Sequence, residues 1–380
     1  MSPRLATFLM FVVNGTIFGT WVAAIPSAKD GLGASGAEFG VALLFAPFGA
    51  LVAQQIAGQL LVRVSSRRLL TASALILPWL VLLPIIAPSL VLLAASLFAW
   101  GYANTTMDVS MNAHGVALED RGGRSIMSGL HAGWSLGGVA GAIGIALALE
   151  AGVAPRVEAL VAAALLWLVA IVAARSLGTG SIQVAGASGI HWPSRTVLPL
   201  AGIIALVAFV EGGLSDWGGI YLDLGTGAAA SVAAMAYAAL SLGMFLGRIG
   251  GDWAKDRVGS VRLTEWGMLL VAASVAAFLI VHDQWVALVG MVAAGIGIAN
   301  TIPQIFGAAG RIPPGGPSLS AVFTALTLAF MAGPLIIGST SDAIGIRSTF
   351  WLFVVASVAV ALLVRRVPVA ETNPRFRRQG

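Results

Sequence analysis

LATFLMFVVNGTIFGTWVAAI, Leu5 to Ile25, is an unbroken apolar run with no ionisable side chain. A bilayer core about 30 Å thick takes about 20 such residues in a helix, because backbone N–H and C=O groups find no water there and must pair within the segment. The run is too long for the h-region of a signal peptide and leads directly into a second apolar stretch, so it reads as a retained first spanning helix. Similar stretches recur to the end of the chain and predict twelve spans, over residues 5–27, 37–62, 69–87, 90–118, 126–149, 157–174, 196–224, 229–254, 263–281, 285–307, 319–341 and 348–365. The expected fold is an all-α, multi-pass integral membrane protein in the inner (plasma) membrane of the cell.

Composition agrees. Of 380 residues, 58% are apolar and 10% charged, and cysteine is absent. So few charges cannot cover a water-facing surface, which excludes a soluble two-domain enzyme. The lack of cysteine excludes a disulfide framework and thiolate chemistry. A net charge of +5 with no basic patch gives no nucleic-acid surface. Four scattered histidines argue against a metal site, and no G-x-x-x-x-G-K-[ST] run is present to hydrolyse a nucleotide. No cofactor is expected. The energy for any work must come from a gradient.

Orientation follows from arginine, since short loops rich in positive charge stay cytoplasmic. With the N-terminus inside, every Arg and Lys except Lys29, Arg156 and Arg347 falls on the inner side, including Arg124, Arg248 and the tail Arg375, Arg377 and Arg378. Both termini are then cytoplasmic. The longest polar break, rich in Gly and Ser, divides the chain into a bundle over 1–175, a cytoplasmic linker over 176–195, a second bundle over 196–366 and a basic tail over 367–380. Two six-helix halves so joined suit alternating access, with solute held near the midplane between them; two unrelated bundles are the plainer alternative.

The loop after helix 8 reads Asp256-Arg257-x-Gly259-x-x-Arg262, and the matching point after helix 2 has Arg63, Arg67 and Arg68 with Val62 in place of the acid. This D-R-x-G-x-x-R pattern resembles the loop signature of the major facilitator superfamily, in which acid and arginines form a cytoplasmic gate; the first-half arginines also read as plain inner-side charge. Met107-Asp108-Val109-Ser110-Met111-Asn112, His131-Ala132-Gly133-Trp134-Ser135-Leu136-Gly137 and Glu211-Gly212-Gly213-Leu214-Ser215-Asp216-Trp217 are similar to the fucose-permease-related branch. The likeness covers the whole chain and implies proton-linked transport of a small molecule. Helix 1 carries Asn14 where the sugar symporter has an acid, and helix 5 lacks the G-P-x-x-G-G run of drug antiporters. At the position of His131 the sugar symporter uses an amide to bind substrate. In the superfamily helices 5 and 8 face one another across the halves, so the small-residue stripes Gly133/Gly137/Gly141 and Gly243/Gly247/Gly251 are expected to form the sliding seam, with static packing as the alternative.

Three acids lie inside the spans: Asp108, Glu211 and Asp216. A charge at the bilayer centre costs about 2.5–3.5 kcal/mol on insertion scales, so each should face a cavity, a partner or a proton. Asn104 and Asn112 stand four residues to either side of Asp108 and share its helix face, which makes Asp108 the leading proton-coupling candidate; a bond to His131 as interhelical glue is the rival. Glu211 is the second coupling candidate, and Asp216 reads equally as an interfacial residue. Asn14, Asn104, Asn112, His131, Ser135, Trp134, Tyr237, Asn300 and Gln304 are the expected substrate-binding groups. Trp217 and Tyr221 favour the membrane interface, where such rings gather, and His114 an inner-end position without chemistry. The expectation is a monomeric, proton-coupled secondary transporter of a small polar, sugar-like solute. Two alternatives stand beside it: a proton-driven exporter of amphipathic metabolites, drugs or lipids, and a receptor or scaffold that moves nothing.

Overall fold

The computed structural model of the chain describes residues 1–122, 126–178, 194–312 and 316–367. Arg124, most of the expected linker and the tail beyond Val367 lie outside the described residues. Among the described residues, twelve helices are long and apolar enough to cross a membrane: α1 (Pro3–Leu32), α2 (Gly36–Leu61), α3 (Ser66–Ile85), α4 (Leu90–Glu119), α5 (Gly129–Glu150), α6 (Pro155–Ala174), α7 (Leu198–Gly225), α8 (Ala230–Gly251), α9 (Ser260–Val281), α10 (Gln284–Ala309), α11 (Ser318–Ile344) and α12 (Ile346–Val364).

Local chemistry sets the ends and the bends. Ser35 caps α2 in a reciprocal box with Glu38, and Asp283 caps α10 by accepting from the N–H groups of Trp285 and Val286, each at 2.9 Å. Gly33, Gly259 and Gly345 make their turns at positive φ, where a Cβ would be strained. Three spans are interrupted, at Leu44 in α2, Val81 in α3 and Ala299–Asn300 in α10. In each, a proline follows four residues after a carbonyl that loses its donor: Pro47 after Leu43, Pro84 after Leu80 and Pro303 after Ala299.

Within the first half α1 packs along α5, α2 along α4, and α3 against α4 and α6; within the second, α7 packs along α11, α8 along α10, and α9 against α10 and α12. The halves meet at α5–α8 and α2–α11, with α1 against α7 and α8. Adding six to each helix number turns the α2–α11 seam into α8–α5, the relation expected of parallel repeats about an axis along the membrane normal. Helix direction gathers Arg4, Arg63, Arg68, Arg257, Arg262, Arg311 and Arg365 at the face where both halves begin and end, all of them exposed. We call this the basic face.

The glycine stripes do not lie where the sequence suggested. A Cβ on Gly133, Gly137 or Gly141 would strike Phe8, Val12 or Thr16 of α1, and one on Gly243, Gly247 or Gly251 would strike Val292, Ala299 or Asn300 of α10. Both stripes therefore hold helices together inside one half. The α5–α8 contact uses the other side of α5, where Gly138 faces Tyr237 and Ser241. A stripe every four residues specifies a close backbone approach but not the partner.

Candidate functional site

A cavity of about 1070 Å³ lies between the halves. Its walls run from Trp21 of α1 and Trp100 of α4 down to Leu61, Val116 and Leu319 at the basic-face ends of α2, α4 and α11. On the opposite face the route is closed by close approaches, backbone to backbone where Gly36 meets Gly338 and Gly40 meets Pro334, and against the proline ring where Gly219 meets Pro26.

Asn104, Asp108 and Asn112, one turn apart on α4, all line this cavity. Asn112 Nδ2 donates to Asp108 Oδ1 at 3.0 Å and to the Asp108 carbonyl at 2.9 Å. The glue between helices is one turn away: Asn14 Nδ2 of α1 donates to Asn104 Oδ1 at 3.1 Å, and Trp134 Nε1 of α5 donates to Asn14 Oδ1 at 2.8 Å. Asn14 is 1% exposed and sits behind the cavity wall, tying α1, α4 and α5. Asp108 thus bonds to its own helix rather than to His131, whose ring instead meets the Phe11 ring edge-on at 5.3 Å.

From the second half, Glu211, Ser215 and Asp216 of α7 and Tyr237 of α8 complete the wall. Asp216 faces the cavity and not the membrane surface, because α7 continues to Gly225 and carries it inward of the helix end. Trp217 and Tyr221, on the other side of α7, are fully buried rather than interfacial. Tyr221 stacks on Phe350 at 4.6 Å, and its hydroxyl donates to the Phe278 carbonyl at 3.2 Å. Four aromatic side chains from four helices converge around the upper cavity: Phe18 has Trp100, Trp134 and Tyr237 at centroid distances of 5.6, 5.5 and 5.7 Å. Among the described residues the Trp100 Nε1 is buried there without a hydrogen-bond partner, and the Tyr237 hydroxyl is buried beside Ser241.

Arg248 escapes the sequence reading, which places it among the inner-side arginines. It lies within α8, one face with Tyr237, Ser241 and Met244, and that spacing is the signal that could have found it. Its guanidinium donates to Ser135 Oγ across the α5–α8 seam and lies 5.8 Å from the centre of the Trp134 ring. It is within electrostatic reach of Glu211, His131 and Tyr237. Ser241 Oγ donates to the Ser135 carbonyl at 2.9 Å, so Ser135 is held twice by α8.

Asn300 and Gln304 are not brought to this site. Asn300 Nδ2 donates to the Gly247 carbonyl at 2.8 Å, and Gln304 Oε1 accepts from Thr264 Oγ1 at 3.4 Å. The proline-dependent break in α10 turns both side chains toward α8 and α9, away from the cavity. His114 is buried, with its Nε2 2.9 Å from the Leu177 carbonyl. Of the expected gate, Arg63, Asp256 and Arg262 are exposed and Gly259 makes the turn. Arg257 lies 4.3 Å over the ring of Trp253, four residues earlier in the chain, and among the described residues makes no ion pair across the halves.

No family profile matches the chain. An uncharacterised transporter of Sinorhizobium fredii is 31% identical over 377 residues, 96% of this chain and 97% of that protein. An uncharacterised MFS-type transporter of Yersinia pestis is 28% identical over 373 residues, 97% and 96% of the two chains. The membrane protein MosC of Rhizobium meliloti is 29% identical over 94% of this chain and 88% of its own. Among solved structures, the nucleoside transporter NupG superposes with a TM-score of 0.73 at 14% identity, covering 97% of this chain and 99% of that one. A bacterial homologue of the human lysosomal transporter Spinster, inward-facing and occupied, gives 0.73 at 17% identity over 98% of each chain. With transporter relatives matching from end to end and a shared twelve-helix architecture in two symmetric halves, the chain belongs to the major facilitator superfamily of membrane transporters.

Proposed function

We propose that the protein is a monomeric, proton-coupled secondary transporter that moves a small polar, sugar-like solute across the inner membrane by alternating access. Residues 1–175 and 196–366 are the two moving bodies, 176–195 joins them, and the basic face is cytoplasmic. The observation that carries this reading is a cavity between the halves whose walls extend to the basic-face ends of α2, α4 and α11, with Asp108 facing it from one half and Glu211 and Asp216 from the other. A carboxyl at this depth with no cation in contact is best satisfied by a proton or a ligand.

Asp108 takes up and releases the proton, and Asn112 holds its carboxyl in place. Glu211, with Arg248 within electrostatic reach, is the second ionisable element. Phe18, Trp100, Trp134 and Tyr237 offer flat faces to a ring, while Asn104, the Trp100 indole and the Tyr237 hydroxyl offer hydrogen bonds to its hydroxyls. The resemblance of the helix 4, 5 and 7 motifs to the fucose-permease-related branch supports a sugar-like solute, and the nucleoside transporter NupG shares the fold.

The test is solute-driven proton movement in sealed liposomes. Asp108→Asn abolishes the coupled proton flux while the protein still binds solute; unchanged coupling removes Asp108 from its role. The apolar portion of the wall, with Phe323 and Phe330 on α11, favours a second reading, proton-driven export of an amphipathic compound. A thermal-shift screen in which lipophilic compounds stabilise and sugars do not selects that reading. Saturable binding without counterflow selects a receptor.

A further inference from the structure

The seams on the face opposite the termini carry two acid contacts that the gate motif does not include. On the α2–α11 seam, Asp342 near the end of α11 accepts from the backbone N–H of Gly36 through Oδ1 and of Ala37 through Oδ2, both at 2.8 Å. These amides open α2 and have no acceptor in their own helix. On the α5–α8 seam, Glu150 at the end of α5 accepts from Ser231 Oγ in the first turn of α8 at 2.6 Å, and α8 has no side-chain cap of its own. Adding six to α5 gives α11, and to α2 gives α8. The two contacts are one device used twice: an acid at the end of one helix, set on the N-terminal turn of a helix in the other half.

Each is suited to holding without trapping. A carboxylate is favoured at a helix N-terminus, where unpaired N–H groups and the helix dipole present positive charge. Asp342 and Glu150 are exposed, so water replaces the lost partners when the halves part. The close backbone approach that lets Asp342 reach is also present: a Cβ on Gly36 would meet both the Gly338 carbonyl and Asp342.

We infer that Asp342 and Glu150 form a symmetric clasp that holds the face opposite the termini shut, Asp342 capping the first turn of α2 and Glu150 accepting from a side chain in the first turn of α8. The clasp rests on the alternating-access reading for its purpose but not on proton coupling or on the identity of the solute. Opening toward that face must break both contacts, whereas the basic face can open or close with them intact.

The chain has no cysteine, so spin labels go on cleanly at Gly31→Cys and Ser348→Cys. Both sites are exposed on that face, one in each half and outside the clasp. Double electron–electron resonance on the full-length protein in nanodiscs then measures the separation of the halves. Asp342→Ala is expected to raise the ratio of long-distance to short-distance populations about two- to five-fold, the effect of one carboxylate at a partly exposed helix N-terminus; Ser231→Ala is expected to raise it about three-fold, the effect of one interhelical hydrogen bond, and the pair to raise it by about the product. Asp342→Asn, which can still accept one bond, falls between Ala and the parent. Unchanged distributions in Asp342→Ala and Ser231→Ala overturn the clasp. Should Asp342→Ala fail to fold, Ser231→Ala alone decides, since it removes only a hydroxyl. A variant with altered distances in a protein that shows no proton-coupled flux keeps the clasp and refutes the proposed coupling; intact flux with unaltered distances does the reverse.

Discussion

Asn14→Ala tests whether the amide of α1 is the knot that holds the cavity wall. The substitution removes an acceptor from Trp134 Nε1 at 2.8 Å and a donor from Asn104 Oδ1 at 3.1 Å. The two losses are unequal. Asn104 lines the cavity, so water can take the place of the missing donor. The indole N–H points to a residue only 1% exposed and is left unpaired. A stranded buried donor costs about 1–3 kcal/mol in water-soluble proteins, while interhelical hydrogen bonds in membranes average about 0.6 and reach about 1.7 kcal/mol. Together these give a destabilisation of about 1–2 kcal/mol, most of it through Trp134. The assay is a double-mutant cycle with Trp134→Phe, which keeps a ring and deletes the N–H, followed by loss of helicity in mixed detergent micelles. A coupling of about 0.6–1.7 kcal/mol between the two positions is expected. If the single changes add to within about 0.3–0.5 kcal/mol, the bond carries nothing and the knot is elsewhere.

Gly137→Leu should destabilise the first half by about 1–3 kcal/mol, because its Cβ has no room against the backbone of α1; unfolding in detergent measures it, and an unchanged midpoint would place the seam elsewhere. Asn300→Ala should lower stability through the lost bond to Gly247 yet leave solute affinity unaltered, as read by equilibrium binding; a large loss of affinity at full stability would return Asn300 to the site. Arg248→Gln should weaken solute binding and alter the pH dependence of transport, because Glu211 loses its nearby cation, and Arg248→Lys should restore part of both. An Arg248→Gln variant with the parent pH profile would leave the guanidinium only its structural bond to Ser135.

The twelve spans were legible because a membrane enforces length and hydropathy on every crossing. The polar face of α4 was legible for a similar reason: Asn104, Asp108 and Asn112 recur with the period of one helix, so their common direction needs no knowledge of neighbours. What could not be read was which helix lies opposite. The glycine stripes of α5 and α8, the partner of Asp108 and the direction of Asn300 and Gln304 all depend on rotation of one helix relative to another, which packing decides. Arg248 was hidden by its own chemistry, since an arginine in the last turn of a span reads as an inner-side charge until α5 supplies Ser135 and Trp134 beside it. The acids of the clasp were invisible for two reasons: Asp342 acts on backbone amides, which leave no mark in a sequence, and Glu150 meets a serine 81 residues away that only packing brings beside it.

The glycine contacts carry a mechanical consequence. Where α1 meets α5, backbone touches backbone through Gly15, Gly19, Gly137 and Gly141, and no rotamer is available there to absorb a shift. If the halves move as proposed, a shift of Phe18 or of the Asn14 amide passes to α5 through contacts that hold no side chain to give way. At this seam the first half is braced by main chain, and what can yield lies among the side chains where α5 meets α8, such as Arg248 and Ser241.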